Sequence, residues 1–197
     1  MEENTANEPV AAPYGTGYTY GDYLKFDIDE MVEIIKGKIF KMSPAPKISH
    51  QKVSGVIHAL FFNFVKNKNC QVFHAPTDVV FPIPNKKKES ATTVLQPDLF
   101  IICDPNKILE DCIFGAPDLI VEILSPHTRK KDLQIKYEVY EEAAVREYWI
   151  VMPEERLIEV FVLEDGRYQR IQTYTEEDVL NSVIFSDLSL SMEEVFK

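Results

Sequence analysis

Glu122 interrupts an apolar run, Leu119-Ile120-Val121-Glu122-Ile123-Leu124, that reads as a buried strand. An ionised carboxylate there costs on the order of several kcal/mol unless a counter-charge compensates it. A candidate lies in the helical stretch that follows. With Leu133 set at zero and about 100° per residue, Tyr137, Tyr140, Ala143 and Val139 form an apolar arc. Gln134, Glu138, Glu141 and Glu142 fall opposite. Lys136 lands near 300° (about 100° per residue,), inside the apolar arc, so it faces the sheet and needs an anion. Asp98 opens the strand "PDLFIIC" and is the third candidate. Asp118 is nearer in sequence, but lies about 13 Å from residue 122 along one strand, too far to share an ion with it. A neighbouring strand lies only about 4.8 Å away. Asp98 and Glu122 on adjacent strands could hold one hard cation through oxygen ligands. Lys136 could then position a water or stabilise charge on a phosphate. The same residues also admit a structural reading, in which Glu122 and Lys136 are a buried ion pair and Asp98 caps a turn.

The elements that must position these residues follow from periodicity and turn chemistry. "EIIKGKIFKMS" (33–43) reads as a hairpin turning at Lys36-Gly37, after a short helix within 18–26. Ser49 is a candidate cap for a helix to about Asn67, in which Val53, Val56, Ile57, Leu60, Phe61 and Phe64 recur at helical spacing. Strands are expected in "CQVFHAP", "DVVFPI", "QPDLFIIC" and "APDLIVEILS", with residues 84–95 as a mobile lysine-rich loop. A helix over about 128–144 then leads to "REYWIVM" and "RLIEVFVL", a hairpin turning at Asp165-Gly166 and a short last helix. A β-helix-β crossover after residue 124 fits a mixed-sheet α/β domain. Residues 1–17 have the composition of a flexible tail, and residues 18–197 are expected to form one domain.

Of the 197 residues, 32 are acidic and 21 basic, a net charge of −11. That excludes nucleic-acid binding by bulk electrostatics, though not through a local site. Two basic clusters exist, Lys86-Lys87-Lys88 and Arg129-Lys130-Lys131, each read more readily as a solvated surface run than as a binding site. Three cysteines, Cys70, Cys103 and Cys112, are an odd number with no zinc-knuckle spacing. They are expected to be buried thiols in a reducing compartment, which makes the cytoplasm the expected location. No basic start precedes an apolar run, and no stretch approaches the roughly 18 apolar residues that span a bilayer. A membrane partner is not expected.

The stretches "YTYGDYL", "EIIKGKIFKMSPAPKISHQ", "QPDLF", "PDLIVEILSPHTRKKDLQIKYEVY" and "VREYWIVMP" resemble the Uma2 (DUF820-like) family of the PD-(D/E)XK nuclease superfamily. They span roughly residues 18–165, and the block 117–153 is the most specific. The resemblance implies an α/β (α+β-like) fold with a restriction-endonuclease-like core. In it a central mixed β-sheet is flanked by helices, with an added N-terminal hairpin. The helix at 49–67 would be the first core helix and 128–144 the crossover. The motif Asp falls on Asp98 and the motif Glu on Glu122. The lysine of E-x-K is expected at 124, where this chain has Leu124; its role would pass to Lys136. Glu33 would line the cleft or ligate a second ion, or else be a surface charge of the hairpin. His50 would be a polar contact at a helix start or a base, and Ser125 a turn hydroxyl or a participant. The resemblance further implies Mg2+ or Mn2+ held by Asp98, Glu122 and the Ile123 carbonyl, hydrolysing DNA. Arg129, Lys130 and Lys131 would contact phosphate, and a homodimer would suit cutting both strands. Two other functions stand beside this one. A catalytically silent binding or assembly module suits the acidic charge, and a hydrolase of another phosphate ester suits the same scaffold.

Overall fold

A computed structural model describes residues 17–27, 30–42, 46–125 and 131–197 of the chain, the side chains of residues 131 and 132 excepted. Residues 1–16 of the expected tail lie outside the described residues. Gly17, assigned to the tail, instead donates its N–H to the Gly37 carbonyl at 2.9 Å.

Helix α1 (Tyr20–Tyr23) begins in a capping box, with Thr19 and Asp22 bonding each other's backbone N–H. Strands β1 (Val32–Ile35) and β2 (Lys38–Lys41) form the expected hairpin. Its turn residues, Lys36 and Gly37, have φ of 50° and 77°, the geometry that matches strand twist. Helix α2 (Ile48–Val65) buries Val53, Ile57, Phe61 and Val65, one residue per turn. Ser49 does not cap it. The extended Lys47 (φ −61, ψ 157) already turns the chain into the helix at Ile48, so Ser49 sits inside the first turn.

Next come β3 (Gln71–His74), β4 (Val79–Val80), β5 (Val94–Leu95), β6 (Leu99–Ile102), β7 (Ile113–Phe114) and β8 (Leu119–Ile123). The stretch 84–95 is therefore not simply a loop. It carries a 3-10 turn (Lys88–Ser90) and ends in β5, which pairs with both β1 and β4. Val94 and Leu95 are fully buried, and that apolar pair outweighs the polar residues before it.

After residues 126–130, which lie outside the described residues, the crossover runs as one π-helical stretch (Lys131–Lys136) into α3 (Tyr137–Glu142). The helix expected to reach Ala144 thus ends at Glu142, and its described residues open on a wider turn. Strands β9 (Glu147–Met152), β10 (Leu157–Glu164) and β11 (Arg167–Thr175) follow, then β12 (Val179–Asn181), β13 (Ser189–Ser191) and α4 (Met192–Val195). The β12–β13 pair was not foreseen.

The fold is mixed α/β. A six-stranded sheet in the order β11-β10-β9-β8-β6-β3 is mixed, since β8 and β9 are parallel and its other pairs antiparallel. Helices α2 and α4 pack on one face through Ile57, Phe61, Met192 and Val195 against Leu99, Val121 and Trp149. On the other face, α3 and part of a five-stranded sheet (β2-β1-β5-β4-β7) meet Phe100, Ile120 and Tyr148. No helix among the described residues is long and apolar enough to cross a membrane.

Cys70 and Cys103 form a disulfide, correcting the expectation of three thiols. They continue the β3–β6 pairing one position past Gln71↔Ile102, which sets them opposite one another. Cys112 is the free, buried thiol.

Glu147, fully buried at the start of β9, anchors the C-terminal segment. Its Oε1 accepts from Trp149 Nε1 at 2.6 Å. Its Oε2 accepts from Ser182 Oγ at 2.8 Å and from the N–H groups of Val183 and Ile184 at 3.0 and 2.9 Å. In Glu147→Gln one acceptor oxygen becomes an NH2 facing donors. The expected loss is about 2–3 kcal/mol, read by urea unfolding. A change below about 0.5 kcal/mol would mean that these bonds do not anchor the segment.

Candidate active site

Strand β8 divides its side chains between two faces. Leu119, Val121 and Ile123 join the cluster under α2, while Ile120 and Leu124 join the one that contains α3. Alternation places Glu122 on the α3 face. On β1, Ile35 joins that same cluster and Val32 and Ile34 the one around α1, so Glu33 turns toward Glu122. Lys136, the last residue of the π stretch, lies between them. Its Nζ is 2.8 Å from Glu122 Oε1 and 3.1 Å from Glu33 Oε1. The residues are 4%, 2% and 0% exposed for Lys136, Glu122 and Glu33. The misplaced charges expected from the sequence do meet, and Glu33 is no hairpin surface charge.

Two further donors fix the carboxylates. The Gln96 backbone N–H donates to Glu33 Oε1 at 3.0 Å, tying β1 to the segment that leads into β6. Tyr140, one turn after Lys136, donates its hydroxyl to Glu122 Oε1 at 2.5 Å. Burial, and then the Glu122 charge, pushes the Tyr140 phenol well above its ordinary range, so it stays a donor. Beyond Gln96 the polar contacts continue. Its Nε2 donates to Asp78 Oδ1 at 2.8 Å, and Tyr23 Oη to the same oxygen at 3.2 Å. Burial raises the Asp78 carboxyl, and burial with the Asp78 charge pushes Tyr23 up to about 12.

Asp98 lies one position beyond the pair Leu99↔Val121, which sets it across from Glu122. Its Oδ2 accepts from the Ile123 N–H at 2.7 Å, and its Oδ1 is 3.3 Å from His50 Nε2. His50 therefore reaches the site from the first turn of α2. Asp118, the rejected rival, accepts from the Cys103 N–H at 2.8 Å and meets Arg146 at 3.2 Å. Ser125 follows β8, half-buried. Arg129 and Lys130 lie outside the described residues, and Lys131 is described only as the first residue of the π stretch.

The carboxylates of Asp98 and Glu122, opposite one another on paired strands, offer hard oxygen donors that in charge and type suit a divalent cation. The set is not a preformed cage. Among the described residues no group of three or more His, Cys, Asp or Glu stands at metal-holding spacing. Sequence reasoning missed Tyr140 as a partner of Glu122. The available signal was its i, i+4 spacing from Lys136, hidden because a tyrosine in an apolar arc reads as packing.

The Uma2 family model, described as "Putative restriction endonuclease", matches residues 20–193. The uncharacterized protein slr1290 of Synechocystis sp. (strain PCC 6803) is 26% identical over 152 residues, covering 77% of this chain and 76% of that protein. A crystal structure of "a putative nuclease belonging to DUF820" from Anabaena variabilis superposes with a TM-score of 0.72. It is 19% identical in sequence, over 90% of this chain and 97% of that one, a likeness of fold.

Replacing Lys136 by Met keeps most of the stem volume and leaves Glu33 and Glu122 buried without their shared cation. A loss of about 3–5 kcal/mol is expected. Denaturant unfolding measures it, and an unchanged midpoint would show that the pair is not held together by the ammonium.

Proposed function

The chain belongs to the Uma2 family, and on that premise we propose that it is a metal-dependent endonuclease hydrolysing DNA phosphodiester bonds. The observation that carries this reading is Lys136 Nζ, buried 2.8 Å from Glu122 on the strand that Asp98 faces. A lysine beside one of two carboxylates on paired strands supplies the groups that such hydrolysis uses.

In this reading Asp98, Glu122 and the Ile123 carbonyl hold Mg2+ or Mn2+. The ion, when bound, supplies positive charge to the phosphate oxygens and lowers the pKa of the attacking water. Lys136 orients that water or balances the charge that develops on the phosphate. Glu33 holds Lys136 through a second carboxylate contact. His50 holds the second oxygen of Asp98. Arg129, Lys130 and Lys131 contact the backbone phosphates of DNA and so offset the acidic surface locally. The water oxygen bonds to phosphorus and gives up a proton to solvent, while the bond to the leaving sugar oxygen breaks and that oxygen takes a proton from solvent. A homodimer would bring two such sites to the two strands of a duplex.

A second reading has support of its own. Lys136 already stands between Glu33 and Glu122, and a buried lysine already paired with carboxylates suits a binding or assembly module. One assay separates them. Single- and double-stranded DNA are incubated with Mg2+ or Mn2+, and wild type is compared with Glu122→Gln, Asp98→Asn and Lys136→Ala. Cleavage abolished by chelator and reduced about 100-fold or more in each variant is the expected result. Wild type without cleavage in either metal, or variants as active as wild type, would set the nuclease reading aside.

A further inference from the structure

We propose that Tyr140 is a positioning residue for the metal-binding carboxylate: its hydroxyl, with Lys136, claims one oxygen of Glu122 and fixes the plane in which the other is presented. This rests on the reading of Glu122 as a ligand of Mg2+ or Mn2+. Tyr140 Oη and Lys136 Nζ both donate to Oε1, at 2.5 and 2.8 Å. They come from the same side of the crossover, four residues apart, so one rigid element delivers both. A carboxylate held by a single donor can still swing about its last torsion. Two donors on one oxygen, delivered by one element, oppose that motion.

The ring itself is locked. Tyr140 is fully buried, with its centroid 5.1 Å from Tyr148 at 70° and 6.0 Å from Phe81 at 46°. The hydroxyl therefore cannot follow Glu122 if the carboxylate moves, and the carboxylate is set by the ring. Tyr168 provides a contrast within the same cluster. It too is buried, but its hydroxyl donates to the Val145 carbonyl at 3.0 Å. If tyrosine hydroxyls here serve only to satisfy buried polar atoms, the two should be equivalent toward metal.

The test is Mn2+ binding to the full chain, followed by electron paramagnetic resonance, in wild type, Tyr140→Phe, Tyr168→Phe and Glu122→Gln. Tyr140→Phe keeps the ring and removes only the donor. Its Mn2+ affinity is expected to fall about 10-fold or more, while Tyr168→Phe stays within about twofold, well inside that second-sphere effect. Cleavage should follow the same order, with the loss in kcat rather than in KM for DNA. Tyr140→Phe binding Mn2+ as tightly as wild type, or both Phe variants losing affinity equally, overturns the proposal. Wild type that binds Mn2+ without cleaving DNA removes the nuclease reading alone. Wild type that binds no Mn2+ removes both. If Tyr140→Phe does not fold, wild type labelled with 13C at the tyrosine ring carbons is titrated with Mg2+. The Tyr140 carbon that bears the hydroxyl should then shift and saturate with the ion, and a resonance that does not move overturns the proposal.

Discussion

An ammonium group held between two carboxylates, out of water, is the constraint around which this chain is arranged. Glu122, Lys136 and Glu33 come from a strand of the large sheet, from the crossover and from a hairpin of the small sheet. Each charge alone would be costly to bury, and none can leave without stranding another. The three elements are thereby held to one mutual placement, whereas apolar contacts alone would tolerate sliding. The small sheet is therefore more than a decoration of the core. Through Glu33 it reaches the Lys136 ammonium, and through the Gln96 N–H it holds the chain two residues before Asp98.

How much of this the sequence disclosed depends on whether a residue broke a pattern or kept one. Glu122 and Lys136 violated the apolar period of their elements, and a violation is legible without a partner in view. Glu33 sat in a hairpin whose two faces the sequence cannot tell apart, so a surface charge and a buried partner of Lys136 read alike. Tyr140 kept its pattern perfectly and was silent for that reason. The π stretch before α3 was also hidden. A phase of 100° per residue placed Lys136 inward all the same, because the residue lies where the wider turn rejoins the α-helix.

Other differences have equally local causes. Two short apolar residues, Val94 and Leu95, form a strand in the middle of a sheet, while the polar run before them dominates any window that contains both. The pairing of Cys70 with Cys103 depends on the register of β3 against β6. An odd count of cysteines at irregular spacing does not disclose that register. The helix α2 starts with no side-chain cap although a serine stands nearby. Entry into it is set by the extended backbone at Lys47.

The disulfide and the Asp98 carboxylate act at opposite ends of β6. At one end Asp98 is hooked to the backbone of β8 through the Ile123 N–H; at the other, Cys103 is bonded to Cys70, just before the neighbouring strand β3, and its N–H donates to Asp118. Mechanically, β6 is a beam clamped at both ends. It cannot slip along its axis by one residue to relieve strain from a bound ligand, since every such shift would break a covalent bond or pull a carboxylate off its donor. Any accommodation at Asp98 must come from torsion of that side chain, and the strand beneath it stays still.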